Sequence, residues 1–273
     1  MTYKAPIKER IVVICYDLLA VETYRSICDS LAVFLAESLP EEAFQIEQIN
    51  RPEITMPAPT IGDVEPDWSR VKVSVDRSLR FWNSSHTKCI QFFKDSLTVN
   101  LISNDESISW SHHDLFVFFE KLWPFISKHQ KHFKFKRISL DYHNALTHEQ
   151  LVPYLINDGK TLELAHILKG NVLGQSIDGA TFTPPIIHNV SYTSVLGESN
   201  PSSIPTRLDV QIFVPELREG KWLLRVMFSA SSKLPAFDKD HIISYLKKTH
   251  EAVVSGFKTT FSDNIVNQAG VGV

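Results

Sequence analysis

Two imidazoles and a carboxylate occur together in Trp110-Ser111-His112-His113-Asp114, a combination that suggests metal binding or acid–base chemistry. Neighbouring side chains on a helix point about 100° apart, so His112 and His113 cannot easily converge on one ion. Ser111 and Asp114 also fit the N-cap and N3 positions of the helix that follows. We therefore interpret this stretch as the start of a helix and predict no metal or catalytic site in it.

Other motifs that could carry chemistry are incomplete. His129 and His132 are three residues apart and would share one helical face, but no cysteine or carboxylate close in sequence completes a metal site. Residues 174–179 lack the spacing and the strand–turn–helix context of a serine nucleophile elbow. The chain also has no P-loop and no dinucleotide-binding glycine motif. The sequence therefore predicts no catalytic residue, metal or cofactor, and it leaves open an enzyme with a dispersed site.

The most suggestive polar segment is Asp141-Tyr142-His143-Asn144, at the end of a predicted core strand. Polar groups at strand ends beside loops are often binding groups on a rigid scaffold. In the alternative, structural interpretation, Tyr142 packs in the core, His143 is exposed and Asn144 turns the chain. We keep these four residues as candidates for binding a ligand or a partner.

A basic segment at residues 128–137 is the candidate for nucleic-acid contact. Its cations alternate with histidines and aromatic residues, a mixture that can follow a phosphate backbone and stack on bases. These cations are Lys128, Lys131, Lys134, Lys136 and Arg137. The alternative is a helix end whose cations face the negative pole of the macrodipole, followed by the exposed side of a strand. A net charge of −3, from 28 basic and 31 acidic residues, argues against a nucleic-acid footprint over the whole chain.

Cysteine usage and hydropathy bear on the cellular compartment. Cys15, Cys28 and Cys89 have neither a disulfide nor a zinc spacing, which favours reduced thiols in a reducing compartment. The polar residues 1–6 and the charged pair Glu9-Arg10 leave no signal-peptide apolar region. The chain also has no uncharged apolar run of about 18 residues. We therefore expect a cytoplasmic protein that does not enter a membrane.

Hydrophobic periodicity predicts the elements of the first half. Residues 9–16 are largely apolar and β-branched, as in a strand buried on both faces. A helix is predicted over residues 23–39, and three strands with turn signals over residues 71–102. Residues 50–66 carry four prolines, which predict a long surface connection that could serve as a docking loop. A second helix begins at Ser111.

The second half repeats this order. It reads as a strand over residues 136–142, a capping box at Thr147-His148-Glu149-Gln150, strands within 187–230, and a last helix capped by Asp238.

We therefore predict an α+β fold of two similar strand–helix–meander–helix units, residues 1–133 and 134–273, that arose by internal duplication. Their antiparallel sheets are covered by helices on one face, because each helix has only one apolar stripe to bury. A single fused domain is the alternative.

Several segments, taken in order, resemble an uncharacterised and sporadically distributed prokaryotic family. The segments are residues 3–9, 79–82, 90–92, 97–100, 138–144 and 250–257. The family usually carries an arginine before the Tyr-x-Asn of the mid-chain strand, where this chain has Asp141. If that arginine serves an anionic ligand, the resemblance implies that this chain has lost it.

The resemblance implies no known activity, but a patchy distribution is typical of mobile-element, toxin–antitoxin and antiphage-defence genes. Products of such genes commonly act through a partner encoded beside them. We therefore predict a non-enzymatic interaction protein of such a system that binds a partner protein in a hetero-complex or a homo-oligomer. Binding would use the sheet face, the 50–66 loop or both, and an aromatic content of 11% favours it. The alternatives are a nucleic-acid-sensing module using residues 128–137, or an enzyme with a dispersed active site.

Overall fold

The structure is a computed structural model that describes eight stretches of the chain. They are residues 7–55, 72–103, 110–159, 161–169, 193–196, 206–213, 215–233 and 238–268. The predicted loop at 174–179 and residues 56–66 of the proline-rich segment lie outside them.

Antiparallel pairing joins strands from both halves of the chain into one sheet. Its strands are β1 (Ile7–Tyr16), β2 (Gln45–Thr55), β3 (Lys72–Trp82), β4 (Lys88–Phe92), β5 (Ser96–Ile102), β6 (Phe135–Leu146), β9 (Thr193–Leu196), β10 (Thr206–Ile212), β11 (Glu216–Arg218) and β12 (Lys221–Ser232). A separate two-stranded sheet consists of β7 (Leu155–Ile156) and β8 (Thr161–Leu162). The order across the sheet is β2-β3-β4-β5-β1-β6-β12-β10-β9, and β11 also pairs with β12.

Five helices accompany the sheet in the described stretches. They are α1 (Val21–Ser38), α2 (His112–His129), α3 (His148–Leu151), α4 (Lys239–Thr260) and α5 (Asp263–Gln268). The predicted capping box of Ser111 and Asp114 is confirmed at the start of α2, and the predicted cap at Asp238 accepts a hydrogen bond from the backbone N–H of His241. None of these helices is long and apolar enough to cross a membrane. The fold is α+β with an antiparallel sheet, as predicted.

The hydrophobic core lies between the helices and one face of the sheet. Val12 and Ile14 of β1 are buried there, opposite the buried Leu140 and Ile138 of β6. The buried apolar side chains of all five helices belong to the same cluster. On the other face β1 is less covered, because Val13 and Cys15 are only half-buried, so the predicted burial of this strand on both faces is only partly correct.

The two halves meet at the centre of the sheet. β1 pairs with β6 from Ile7 opposite Asn144 to Tyr16 opposite Phe135. β1 also pairs with β5, the last strand before α2, while β6 also pairs with β12, the last strand before α4. The predicted boundary after residue 133 therefore falls just before β6, and the sheet is continuous across it.

The prediction of a connection over residues 50–66 is wrong for its first six residues, because β2 continues to Thr55. Pro52 lies within β2, opposite Val75 of β3. β2 is an edge strand, and an edge strand tolerates proline because its missing N–H need not pair with a second neighbour.

Candidate functional site

The four candidate residues of β6 point to two different faces of the sheet, because successive side chains of a strand alternate. Tyr142 and Asn144 are buried on the face that the helices cover. Asp141 and His143 lie on the opposite face, where both are half-buried. The segment therefore contributes to two sites, which we call the helix-face cluster (Arg10, His112, Tyr142 and His250) and the polar face (the sheet side chains directed away from the helices).

The helix-face cluster brings together one side chain from each of four elements. Tyr142 Oη of β6 and His250 Nδ1 of α4 form a hydrogen bond of 2.8 Å. The imidazole of His250 stacks on that of His112, the first residue of α2, with ring centroids 3.9 Å apart. The guanidinium carbon of Arg10, from β1, lies 5.6 Å from the centroid of the Tyr142 ring.

Positive charge dominates the electrostatics of this cluster. Desolvation lowers the pKa of Arg10, and the nearby Tyr142 and Asp114 only partly oppose that effect. Desolvation, His112 and the charge of Arg10 together lower the pKa of His250 to about 4. Desolvation and the Arg10 charge also lower the pKa of His112. At neutral pH the cluster therefore holds one charged guanidinium beside two neutral imidazoles.

Hydrogen bonding in the cluster is incomplete. Arg10 is only 7% exposed, forms no ion pair within the described stretches, and has a buried Nε without a hydrogen-bond partner. Beside the cluster, Asn144 donates to the backbone oxygens of Tyr142 and Val226, but its own Oδ1 is buried and unpartnered. A buried charge without an ion pair is costly, so Arg10 is held here at the expense of stability.

We expect the protein to lose stability between about pH 6.5 and pH 4 because of His250. Histidine in the unfolded chain takes up a proton near pH 6.5, whereas His250 in the folded protein does so only near pH 4. The contribution of neutral His250 to the free energy of unfolding is therefore complete above pH 6.5 and is lost as the pH falls towards 4. Solvent screens this partly exposed group, so we expect a loss of about 1–2 kcal/mol. Urea unfolding at pH 6.5 and at pH 4 should show that the free energy of unfolding falls less for His250→Asn than for the wild type. An equal loss in both proteins would contradict this assignment.

A carboxylate network crosses the middle of the polar face. Asn100 Nδ2 of β5 donates to Glu9 Oε1 at 2.6 Å, and His143 Nδ1 lies 3.2 Å from Glu9 Oε2. Desolvation pushes the pKa of Glu9 upward, but the hydrogen bonds from His143 and Asn100 outweigh it and lower that pKa. In contrast, burial raises the pKa of Asp141 even though Ser229 Oγ donates to it at 2.6 Å.

The flanks of the polar face carry both signs of charge. Trp82 Nε1 donates to Glu47 Oε2 at 2.9 Å, and Arg80 Nη1 pairs with the same oxygen at 3.3 Å. The Arg80 guanidinium also lies 5.5 Å from the centroid of the Trp82 ring. On the other flank Arg225 forms an ion pair with Glu216.

Several polar atoms of this face are buried without a hydrogen-bond partner. They are Ser78 Oγ, Arg80 Nε, Thr98 Oγ1 and Asn100 Oδ1. Most buried polar groups in proteins have a partner, so four unpaired atoms on one face are unusual.

The residues considered for catalysis do not converge. His112 belongs to the helix-face cluster, Asp141 lies on the opposite face of the sheet, and His113 is exposed. Asp114 is held in the capping box by Ser111. In the described stretches no three histidine, cysteine, aspartate or glutamate side chains are grouped to hold a metal ion.

The cysteines are free thiols, as predicted. Burial raises the pKa of Cys28 to about 11 and that of Cys89 to about 12. Both thiols therefore stay protonated at neutral pH, and a thiol is a poor nucleophile in that form.

The basic segment lies at the end of α2 and the start of β6. All five cations, Lys128, Lys131, Lys134, Lys136 and Arg137, are exposed. Lys136 forms an ion pair with Asp17 at 2.8 Å. Phe133, which base stacking would require, is instead buried against Tyr16, with ring centroids 4.7 Å apart. The structure therefore presents the cations without the exposed Phe133 ring that stacking needs.

Sequence reasoning missed Arg10 and His250. Arg10 follows Lys8 and Glu9 and directly precedes the apolar run of β1, so its local sequence gives no sign of burial. His250 lies four residues after the core residue Leu246 on the inner side of α4, and this break in an apolar stripe was the available signal.

No family model matches the chain, and no curated protein matches it significantly.

Proposed function

We propose that the protein is a non-enzymatic interaction protein that holds a partner protein on the polar face of its sheet. The unpaired atoms of Ser78, Arg80, Thr98 and Asn100 are the observation that supports this most strongly. Each unmade hydrogen bond of a buried group costs about 1–3 kcal/mol, and a partner whose binding shifts the side chains above these atoms would recover it. These atoms include a donor, an acceptor and two hydroxyls, and a polypeptide offers both N–H and C=O groups to pair with them.

The charge distribution of the polar face favours a protein over a nucleic acid. Glu9, Glu47 and Asp141 lie on the same face as Arg80 and Arg225. A polyanion requires a concentrated positive field, whereas mixed charges can be matched by a complementary protein surface. The cations of residues 128–137 belong to a different part of the surface.

The side chains on this face also suit protein recognition. Tryptophan, methionine and arginine are enriched at protein interfaces and often supply much of the binding energy. The polar face presents Trp82, Met227 and Arg80, all partly exposed. They are spread over β3 and β12, so a partner spanning them would cover the carboxylate network between them.

The wider proposal concerns context and origin. We place the protein in the cytoplasm, as a component of a prokaryotic antiphage-defence or toxin–antitoxin-like system, and its free thiols suit a reducing compartment. We also propose that the sheet arose by duplication of units 1–133 and 134–273. Two features support this origin: β1 and β6 lie side by side, and each pairs with the last strand of its own half.

A single substitution on the polar face should separate binding from folding. Met227 lies between His143 of β6 and Gln211 of β10. We expect Met227→Glu to reduce the partner recovered with the tagged protein from its native host by at least about tenfold, because the new carboxylate would be buried unpaired in the interface. The amount of partner per tagged chain is measured by quantitative mass spectrometry.

The matched control is Val33→Glu, the same kind of change at a residue of α1 that is 54% exposed on the helix side. This variant should recover as much partner as the wild type, and both variants should melt within a few degrees of it. Equal partner recovery with Met227→Glu would show that the polar face is not the binding surface.

A further inference from the structure

We propose that the helix-face cluster is a binding site for an oxyanion of the phosphate class. The cluster brings together the Arg10 guanidinium, the Tyr142 hydroxyl and two imidazoles from four elements. Guanidinium groups bind phosphate through paired, charge-assisted hydrogen bonds, and imidazole and hydroxyl groups donate to the remaining oxygens. This site lies on the opposite side of the sheet from the polar face, so oxyanion binding and partner binding can be tested independently of each other.

The strongest observation is the incomplete bonding of Arg10. Its side chain is 7% exposed, and its Nε has no partner. The nearest acidic group that influences it, Asp114, already accepts hydrogen bonds from the backbone N–H of Ser111 at 2.6 Å and from the Ser111 hydroxyl at 2.7 Å. The positive charge of Arg10 is therefore left for an external anion.

The start of α2 adds a second source of positive potential. His112 is the first residue of this 18-residue helix, and its ring stacks on His250 within the cluster. The capping box uses the N–H groups of Ser111 and Asp114, which leaves those of His112 and His113 outside it. Free first-turn N–H groups and the helix dipole both favour a negatively charged ligand.

An open surface cleft beside His250 gives the ligand a place to extend. It has a volume of about 350 Å³ and is lined by α4 alone, by His250, Glu251, Val254, Ser255 and Lys258. Its two charged side chains, Glu251 and Lys258, have opposite signs. A phosphate monoester could thus place its phosphate in the cluster and its organic part in the cleft, whereas inorganic phosphate would use the cluster alone.

An anion in this position would stabilise the protonated forms of His112 and His250, so binding should take up protons. The charged and titratable groups that act on the two rings are Arg10 of β1, Tyr142 of β6, and His113 and Asp114 of α2. Sulfate keeps its charge between pH 6 and pH 8, so a change in sulfate affinity over this range reports protonation of groups in the protein. We expect sulfate to bind at least about threefold more tightly at pH 6 than at pH 8.

The test is calorimetric titration of the full chain with inorganic phosphate and with adenosine monophosphate, combined with NMR of the histidine rings. Binding should shift the ring resonances of His112 and His250, and Arg10→Gln should weaken it by at least about tenfold. Tyr142→Phe, which removes only the hydroxyl, should weaken it less and serves as the second variant. Arg207→Gln, which changes an exposed arginine of β10, should bind as the wild type does.

The two ligands distinguish the possible sources of the oxyanion. Tighter binding of adenosine monophosphate supports a phosphate ester that extends into the cleft, and equal binding supports a free oxyanion. The proposal is overturned if neither ligand moves the His112 and His250 resonances at millimolar concentration. It is also overturned if Arg207→Gln weakens binding as much as Arg10→Gln does.

Discussion

Replacing Leu140 with alanine is expected to lower the free energy of unfolding of the whole chain by about 3 kcal/mol, in a single transition. Leu140 is completely buried at the centre of β6. It lies opposite Val12 of β1 on one side and Ala230 of β12 on the other. The cavity left by its side chain would therefore remove contacts from the sheet where the two halves of the chain meet.

Hydrogen exchange read separately for β4 and β10 measures this effect in each half. Both strands should lose protection by the same amount in Leu140→Ala, because they belong to one sheet and one core. Leu217→Ala, at a residue of β11 that is 55% exposed, should change stability by less than about 0.5 kcal/mol. Loss of protection in β10 with full protection in β4 would mean that the two halves fold independently.

The second large effect concerns Arg10, which we expect to serve binding at the expense of stability. Arg10→Met keeps most of the buried side-chain volume and removes a charge that has no ion pair in the described stretches. Replacing buried charges with apolar groups is often neutral or stabilising. We therefore expect the free energy of unfolding of Arg10→Met to equal that of the wild type or to exceed it by up to about 1 kcal/mol. We also expect this variant to have lost oxyanion binding.

Thermal unfolding with and without phosphate tests both parts of this expectation. A ligand that binds only the folded state raises the melting temperature, so phosphate should stabilise the wild type and leave Arg10→Met unchanged. A loss of more than about 2 kcal/mol in Arg10→Met without ligand would instead show that Arg10 supports the fold.

Local features of the fold could be predicted from the sequence. The capping boxes of α2 and α3 depend on residues three positions apart, Ser111 with Asp114 and Thr147 with Gln150, and both are present. The alternation of Leu208, Val210 and Ile212 with polar neighbours is typical of a half-buried strand, and all three side chains are buried.

Features that depend on distant contacts could not be predicted in this way. The pairing of β1 with β6 joins residues more than a hundred positions apart, and no local pattern encodes it. The position of β2 at the edge of the sheet, which lets Pro52 lie in a strand, also follows only from the strand order. Similarly, Phe133 belongs to the core because β6 returns beside β1, although its sequence context suggested a surface ring.

The candidate site shows the same division. The four residues 141–144 were predicted at the end of a core strand, but β6 continues past them to Leu146. The period of two, which places alternate side chains of a strand on opposite faces, was not applied to them. Arg10 and His250 come from opposite ends of the chain, and only tertiary packing brings them to Tyr142.

Native mass spectrometry of the protein recovered gently from its native host tests the proposed function most directly. If the polar face holds a partner protein, the main species should be heavier than the 31.1 kDa chain by the mass of a second polypeptide in fixed stoichiometry. A single species at 31.1 kDa, with no heavier complex at native concentration, would contradict a function exerted through a partner protein.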